Sequence, residues 1–401
     1  MRLLWVKVGG LWPVNTGGRI RSFQILSELS RHHQVTLLTT HGPGDDPQGL
    51  AVALPRCEVT SVPWSLAKRG SARFVLALLR SWLSPLPVDL YKCAVPALRR
   101  EVARRLAAGG IDLVVADFLA AAPNVSLDGP APVVLFAHNV EHVIWRRLSE
   151  VEPRTWRRFL LQLETRKMLG YEVQACRGAR LTIAVSDADC RRLALATPDA
   201  RVCAVPTGVD TAYFTPDGTR EAPSRLVFTG AMDWYPNEDG IAHFIEAILP
   251  RVRRDVPDAI LTVVGRNPSP RLLAVPTTVG VRVTGLVDDV RPYMAESAVY
   301  VVPLRVGGGT RLKIFEALAM AKAVVSTAVG AEGLPLVSGK HFLRADDPDG
   351  FARAVVSLLR DPARRRALGA AGRRLVEERY SWVKVAGEFE TRCEEVLAHA
   401  R

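Results

Sequence analysis

The run PLRVGGGTRLKIFEALAMAKAVVSTAVGAEG, residues 303–333, sets three consecutive glycines, Gly307, Gly308 and Gly309, just before Thr310, Arg311, Lys313 and Glu316. Those residue types at that spacing suit an anion. Glycines let backbone N–H groups approach an oxyanion closely, and Thr310 can cap the helix that the apolar periodicity predicts after it. Arg311 and Lys313 fall in the first helical turn, where the helix dipole disfavours cations, so the pair calls for an anionic partner. A diphosphate would satisfy both, through the arginine fork and the lysine point charge. Glu316 follows one turn after Lys313 and has two readings: an i,i+3 salt bridge to that lysine, or an acceptor for two ribose hydroxyls. Taken alone the glycines also read as a tight turn, and the Walker order G-x-x-x-x-G-K-[ST] is absent.

Three further positions could do chemistry. Gly17 and Gly18 follow the first apolar run and open the segment RIRSFQILSEL, a second ready seat for phosphate at a helix start. Arg266 follows LTVVG at the same sheet edge as the glycine triplet and is a candidate donor contact. His138 ends a buried strand, where it is either a satisfied core group or a site residue. The DAD at 187–189 imitates a metal-binding D-x-D, but it follows Ser186 at a helix start, where capping accounts for it, so no metal is assigned. The six cysteines have no C-x-x-C pair and no histidine at ligand spacing, which argues against zinc or a disulfide framework and for a reducing, cytoplasmic setting.

The elements that must position these groups alternate along the whole chain of 401 residues. Short β-branched runs are predicted as strands at 2–8, 33–40, 111–117, 132–139, 181–186, 201–208, 225–230, 259–265, 281–285, 298–304 and 323–329, separated by amphipathic segments. That grammar predicts an α/β fold of parallel sheets covered by helices. The length favours two domains, since one core typically serves ~100–200 residues. The expected division is 1–206, a linker at 207–224 rich in Gly, Pro and Asp, a second domain at 225–380, and a final helix at 381–401. Its Trp382, Val385, Phe389, Cys393 and Val396 recur at helical spacing.

With 48% hydrophobic and 23% charged residues the chain is neither disordered nor fibrous. The opening MRLLWVKVGG reads as a buried strand rather than a signal peptide, and no window reaches the ~18 uncharged apolar residues of a membrane span. A net charge of +12 implies either anionic partners or arginine-rich solvated helix faces. Residues 64–87 mix Lys68, Arg69, Arg73 and Arg80 with Trp64, Phe74, Leu78, Leu79 and Trp82, as an interfacial helix or a basic helix packed on its own domain would. Nucleic acid ranks last among anionic partners, because no aromatic–basic interleaving marks a strand.

The 303–333 run, FTGAMDWYPNEDGIAHF (228–244), AVPTGVDTAYFTP (204–216) and VRVTGLVDDVRPYM (281–294) together resemble the retaining GT-B glycosyltransferases of family 4, or group 1. NTGGRIR (15–21) and AHNVE (137–141) resemble the same family more weakly. The resemblance implies two Rossmann-like α/β/α domains facing a central cleft, with the carboxyl domain binding a nucleoside-diphosphate sugar and the amino domain an acceptor. It implies a last helix crossing back to the amino domain and no cofactor or metal. It places Gly285 and Leu286 at the base, Glu316 at the ribose, Gly17, Gly18 and Asn139 at the acceptor or cleft, and His138 near the transferred sugar.

Two departures stand out. Relatives carry a glutamate eight positions before the ribose glutamate, where this chain has Gly308, so backbone N–H groups of Gly308 and Gly309 stand in for that carboxylate. Many also place Arg and Lys in the loop that here reads GAMDWYPNED (230–239), which leaves the diphosphate to Arg311 and Lys313, counted with His138 as the catalytic set. Asp233 and Asn237 in that loop either contact sugar or acceptor, or make the turn and cap the next helix. The acceptor, a lipid-linked glycan, polysaccharide or small molecule, is not legible, nor are the base and oligomeric state; a same-fold epimerase and a silent nucleotide-sugar-binding scaffold are the alternatives. A peripheral contact of 64–87 with the inner face of a membrane would suit a lipid-linked acceptor.

Overall fold

The computed structural model describes residues 1–65, 71–306 and 312–399. The chain forms two compact units, one of Met1–Pro206 with Val385–Arg401 and the other of Thr207–Lys384. In the first unit the strands are β1 (Arg2–Lys7), β2 (Gln34–His41), β3 (Cys57–Pro63), β4 (Leu113–Asp117), β5 (Val133–Ala137), β6 (Leu181–Ala184) and β7 (Val202–Ala204). They form one all-parallel sheet in the order β3-β2-β1-β4-β5-β6-β7. The second unit holds β8 (Ala222–Thr229), β9 (Ile260–Val264), β10 (Val281–Gly285), β11 (Ser297–Val302), β12 (Ala323–Ser326) and β13 (Leu343–Arg344). Its sheet is also parallel, in the order β10-β9-β8-β11-β12-β13. Helices cover both faces of such sheets, so the central strands β4, β5, β6, β11 and β12 are buried at every residue.

Two strands go beyond the sequence expectations. β3 is an edge strand whose residues are only half-buried or exposed and which closes on Pro63, so it lacks the apolar run that marks a central strand. β13 is two residues long. The residues read as a linker lie on the second unit: Val209 joins its core, and Arg373 donates to the carbonyl oxygens of Thr211 at 3.0 Å and Phe214 at 2.6 Å. The closing helix, Trp382–Ala398, buries Val385, Phe389, Cys393 and Val396 completely. Phe389 lies 5.6 Å from Trp5 and 5.0 Å from Phe136, centroid to centroid, so its apolar stripe completes the core of the first unit. No helix among the described residues is long and apolar enough to cross a membrane.

In each sheet the winding reverses once, between β1 and β4 and between β8 and β11. Loops leaving the carboxyl ends of the strands diverge there, which opens a crevice for ligand in sheets of this kind.

Candidate active site

Beside the β8/β11 reversal the carboxyl ends of β8 and β9 are drawn close together. Gly230 N–H donates to Val264 O at 2.9 Å, and a Cβ on Gly265 would stand 1.8 Å from Gly230 O, so only glycine fits at 265. A Cβ on Gly230 would lie 2.6 Å from Lys313 Nζ and 2.7 Å from Asn237 Nδ2. The space it leaves is filled by an ammonium. Lys313 reaches it from the helix Leu312–Ala319, donates to Asn237 Oδ1 at 2.8 Å and lies 4.0 Å from the Phe228 ring centroid. Asn237, almost fully buried, donates in turn to Ala231 O at 2.8 Å. Asn237 therefore aims the lysine, a role that its reading as a sugar contact or helix cap did not contain.

Glu316 stands one turn along the same helix. Burial pushes its carboxyl up to about 7, against the opposing pull of Lys313. Asp233 accepts from Asn267 Nδ2 at 2.9 Å and lies 3.7 Å from Arg266 Nε, so the two site candidates Asp233 and Arg266 meet each other across the loops after β8 and β9. Gly285 takes φ +73° at the end of β10, a conformation that favours glycine, and Leu286 beside it is 78% exposed. Arg305, which follows β11, holds Asp239 through two bonds of 2.5 and 3.0 Å. Gly307, Gly308, Gly309, Thr310 and Arg311 lie outside the described residues.

The β1/β4 reversal gathers a buried charged cluster. Lys7 from β1, Asp117 from β4 and His138 just after β5 are each at most 4% exposed. Asp117 accepts from His138 Nε2 at 2.7 Å and Trp5 Nε1 at 3.0 Å, and pairs with Lys7 Nζ at 3.2 Å. Arg21, from the helix Gly17–Leu29, lies with Nη1 3.0 Å from His138 Nδ1. Arginine has only donors, so His138 Nδ1 accepts and Nε2 carries the proton donated to Asp117. Burial pushes His138 down to about 3, the opposing pull of Asp117 notwithstanding, so the imidazole is neutral. Burial works against the Asp117 carboxylate, yet Lys7, His138 and Ser22 hold it well below the usual carboxylate range.

Phe118 stacks on His138 at 3.6 Å and carries φ +69°, a strained backbone that the cluster holds in place. A Cβ on Gly18 would meet Phe118 Cζ at 2.6 Å, so the glycine is needed for this packing. Gly17 opens the helix, and Asn139 donates to Glu141 Oε1 at 3.2 Å. Lys7 and Asp117 carried no signal in the sequence, each sitting inside an apolar run, and Arg21 was marked only as part of NTGGRIR; strand order makes the three neighbours. At 187–189, Ser186 Oγ accepts from Asp189 N–H, the capping geometry expected there.

Residues 17–213 match the family described as Glycosyltransferase Family 4, and residues 223–361 match Glycosyl transferases group 1. A GDP-mannose-dependent monoacylated alpha-(1-6)-phosphatidylinositol monomannoside mannosyltransferase of Corynebacterium glutamicum is 29% identical over 46% of this chain and 53% of its own length. An MMP alpha-(1->4)-mannosyltransferase of Mycolicibacterium hassiacum is 28% identical over 63% of each chain. The chain thus spans between about half and two thirds of these curated relatives. Among solved structures, the sucrose-phosphate synthase of Thermosynechococcus elongatus superposes with a TM-score of 0.71 over 99% of this chain and 100% of its own, at 18% identity. HepE of Anabaena in complex with UDP gives 0.68 over 98% and 100%, at 14% identity. Two parallel α/β units, each with its polar residues gathered at a winding reversal, and family matches running from residue 17 to residue 361 lead to one assignment: the chain belongs to the family 4, group 1 glycosyltransferases and has their GT-B fold.

Proposed function

We propose that the chain moves a hexosyl group from a nucleoside-diphosphate sugar to an acceptor, with retention and without a metal. The second unit holds the donor and the first holds the acceptor. The observation that carries this is the Lys313 ammonium seated over Gly230 and aimed by Asn237 at the β8/β11 reversal, where a parallel sheet accepts ligand. Lys313, with Arg311, neutralises the diphosphate as the anomeric C–O bond breaks. The acceptor oxygen bonds to the same face, and its proton passes to the departing phosphate oxygen. Glu316 takes the ribose hydroxyls, Gly285 and Leu286 border the base, and backbone N–H groups of Gly307, Gly308 and Gly309 face the phosphates. His138, with both nitrogens engaged, acts as a neutral positioning group rather than a base.

Two relatives are named as GDP-mannose-dependent, and the Anabaena neighbour was solved with UDP and with UDP-glucose, so both guanine and uracil nucleotides belong in the test. GDP, UDP, ADP and TDP are screened for thermal stabilisation; the correct one, at ~100 times its Kd, should add roughly 2.7 kcal/mol. Lys313→Met should weaken that nucleotide about tenfold or more. Stabilisation by none of the four would overturn the proposal. The phosphatidylinositol glycolipid in two relatives' names supports a lipid-linked acceptor, and the half-exposed Val75, Leu76, Leu79 and Trp82 of helix Ala72–Trp82 support contact with a membrane surface there.

A further inference from the structure

We propose that the first unit carries a dedicated anion site, a cavity of about 1040 Å³ beyond the ends of β2 and β3, and that it takes the phosphate ester of a phosphorylated acceptor. This rests on the function proposed above and names the class of acceptor. β2 ends at His41 and β3 at Pro63, and Trp64 N–H donates to His41 O at 2.8 Å, so the loops after both strands form one wall. Arg80, Lys92 and Arg99, from three successive helices, supply the opposite side. Among the described residues the lining holds these three cations and no carboxylate. Lys92 is paired with Asp89 at 2.5 Å and Arg99 gives one N–H to Pro123 O at 2.6 Å, whereas Arg80 has no ion-pair partner among the described residues.

Two more features point to a ligand. The indole N–H of Trp64 is buried and has no acceptor among the described residues, a loss that a ligand oxygen would repair. Tyr91 lines the same space, so the wall joins aromatic surface and hydrogen-bonding tips to cations, the mixture suited to a sugar phosphate. The cavity lies at the same end of the sheet as the Lys7–Asp117–His138 cluster, beyond strands β2 and β3 next to β1. A phosphate held there tethers an acceptor whose hydroxyl end is free to reach the β1/β4 reversal.

The test uses the full chain saturated with its nucleotide, so that the donor site is occupied. Binding of glycerol 3-phosphate is measured by calorimetry, and binding of phosphatidylcholine vesicles with and without phosphatidylglycerol by co-sedimentation. Two variants are compared: Arg80→Glu, at an exposed position, and Trp64→Phe, which keeps the ring and removes only the N–H. Binding of the free ester, weakened about tenfold or more by each variant, supports the site with a soluble phosphate as its source. Binding only to phosphatidylglycerol vesicles, weakened by both variants, supports it with a lipid headgroup as the source. Vesicle binding lost in Arg80→Glu and unchanged in Trp64→Phe would assign the effect to surface charge and overturn the cavity. Failure of both probes on a nucleotide-stabilised protein overturns it too, whereas failure of every nucleotide to stabilise the chain would sink the transferase reading instead.

Discussion

Burial pushes the Glu316 carboxyl up to about 7, against the pull of Lys313. An unfolded glutamate titrates near ~4.3, so the folded chain holds this proton to higher pH than the unfolded one. Its contribution to stability is therefore full below the unfolded value and is lost as pH rises through about 7. In Glu316→Gln that pH-dependent loss, roughly 3–4 kcal/mol, should vanish from denaturation curves recorded between pH 4 and pH 8. Ribose hydroxyls favour the ionised form, so nucleotide binding should release a proton near pH 6 and tighten as pH rises through about 7. Calorimetry in two buffers of different ionisation heat measures this, and no proton release would remove Glu316 from the ribose. Asp117 presents a different balance. Asp117→Ala strands the buried Lys7 and the N–H groups of Trp5 and His138, at a cost of about 3–5 kcal/mol in urea denaturation. Replacing Lys7 and Asp117 together by Met and Leu should recover much of that loss, because the buried charge then goes with its partner.

Elements place these residues through periodicity and through missing side chains. The helix Trp382–Ala398 was legible because its apolar positions recur every three to four residues, and the structure buries that stripe against Trp5 and Phe136. Phe389→Ala should cost about 3–5 kcal/mol and act on the first unit, detected by the loss of amide protection in β1 and β5. β3 escaped the sequence because an edge strand that is half-buried on both faces has no apolar signature. Gly230 and Gly265 were read only as the last residues of predicted strands, whereas their function is steric: the two backbones touch and an ammonium occupies the place of a Cβ.

The molecule as a whole is divided unevenly by its chain. The second unit, Thr207–Lys384, is contiguous and owns a large core, while the first needs residues 385–401 from the far end. A fragment of residues 207–384 should fold alone and bind the stabilising nucleotide with an affinity close to that of the full chain. A fragment of residues 1–206 lacks Phe389, Cys393 and Val396 and should show a lower melting temperature than the first unit within the full protein. Circular dichroism and calorimetry on the two fragments decide both outcomes.

What could be read from the order of residues was whatever is local: the alternation that makes parallel α/β units, the helix carrying Lys313 and Glu316, the stripe of the last helix, the cap at Ser186. Those features depend on neighbours a few positions apart, whose periodicity and capping chemistry are written side by side. The partners of Lys313 and Asp117 were not local. Asn237 is 76 positions from Lys313, and Asp117 is 112 positions from Trp5, so each contact exists only because strand order brings β8 beside β11 and β1 beside β4. Hydrophobic patterning says that a strand is buried and leaves open which strand lies next to it; packing of the complete sheets chooses the neighbour, and with it the buried charge pairs that define the site.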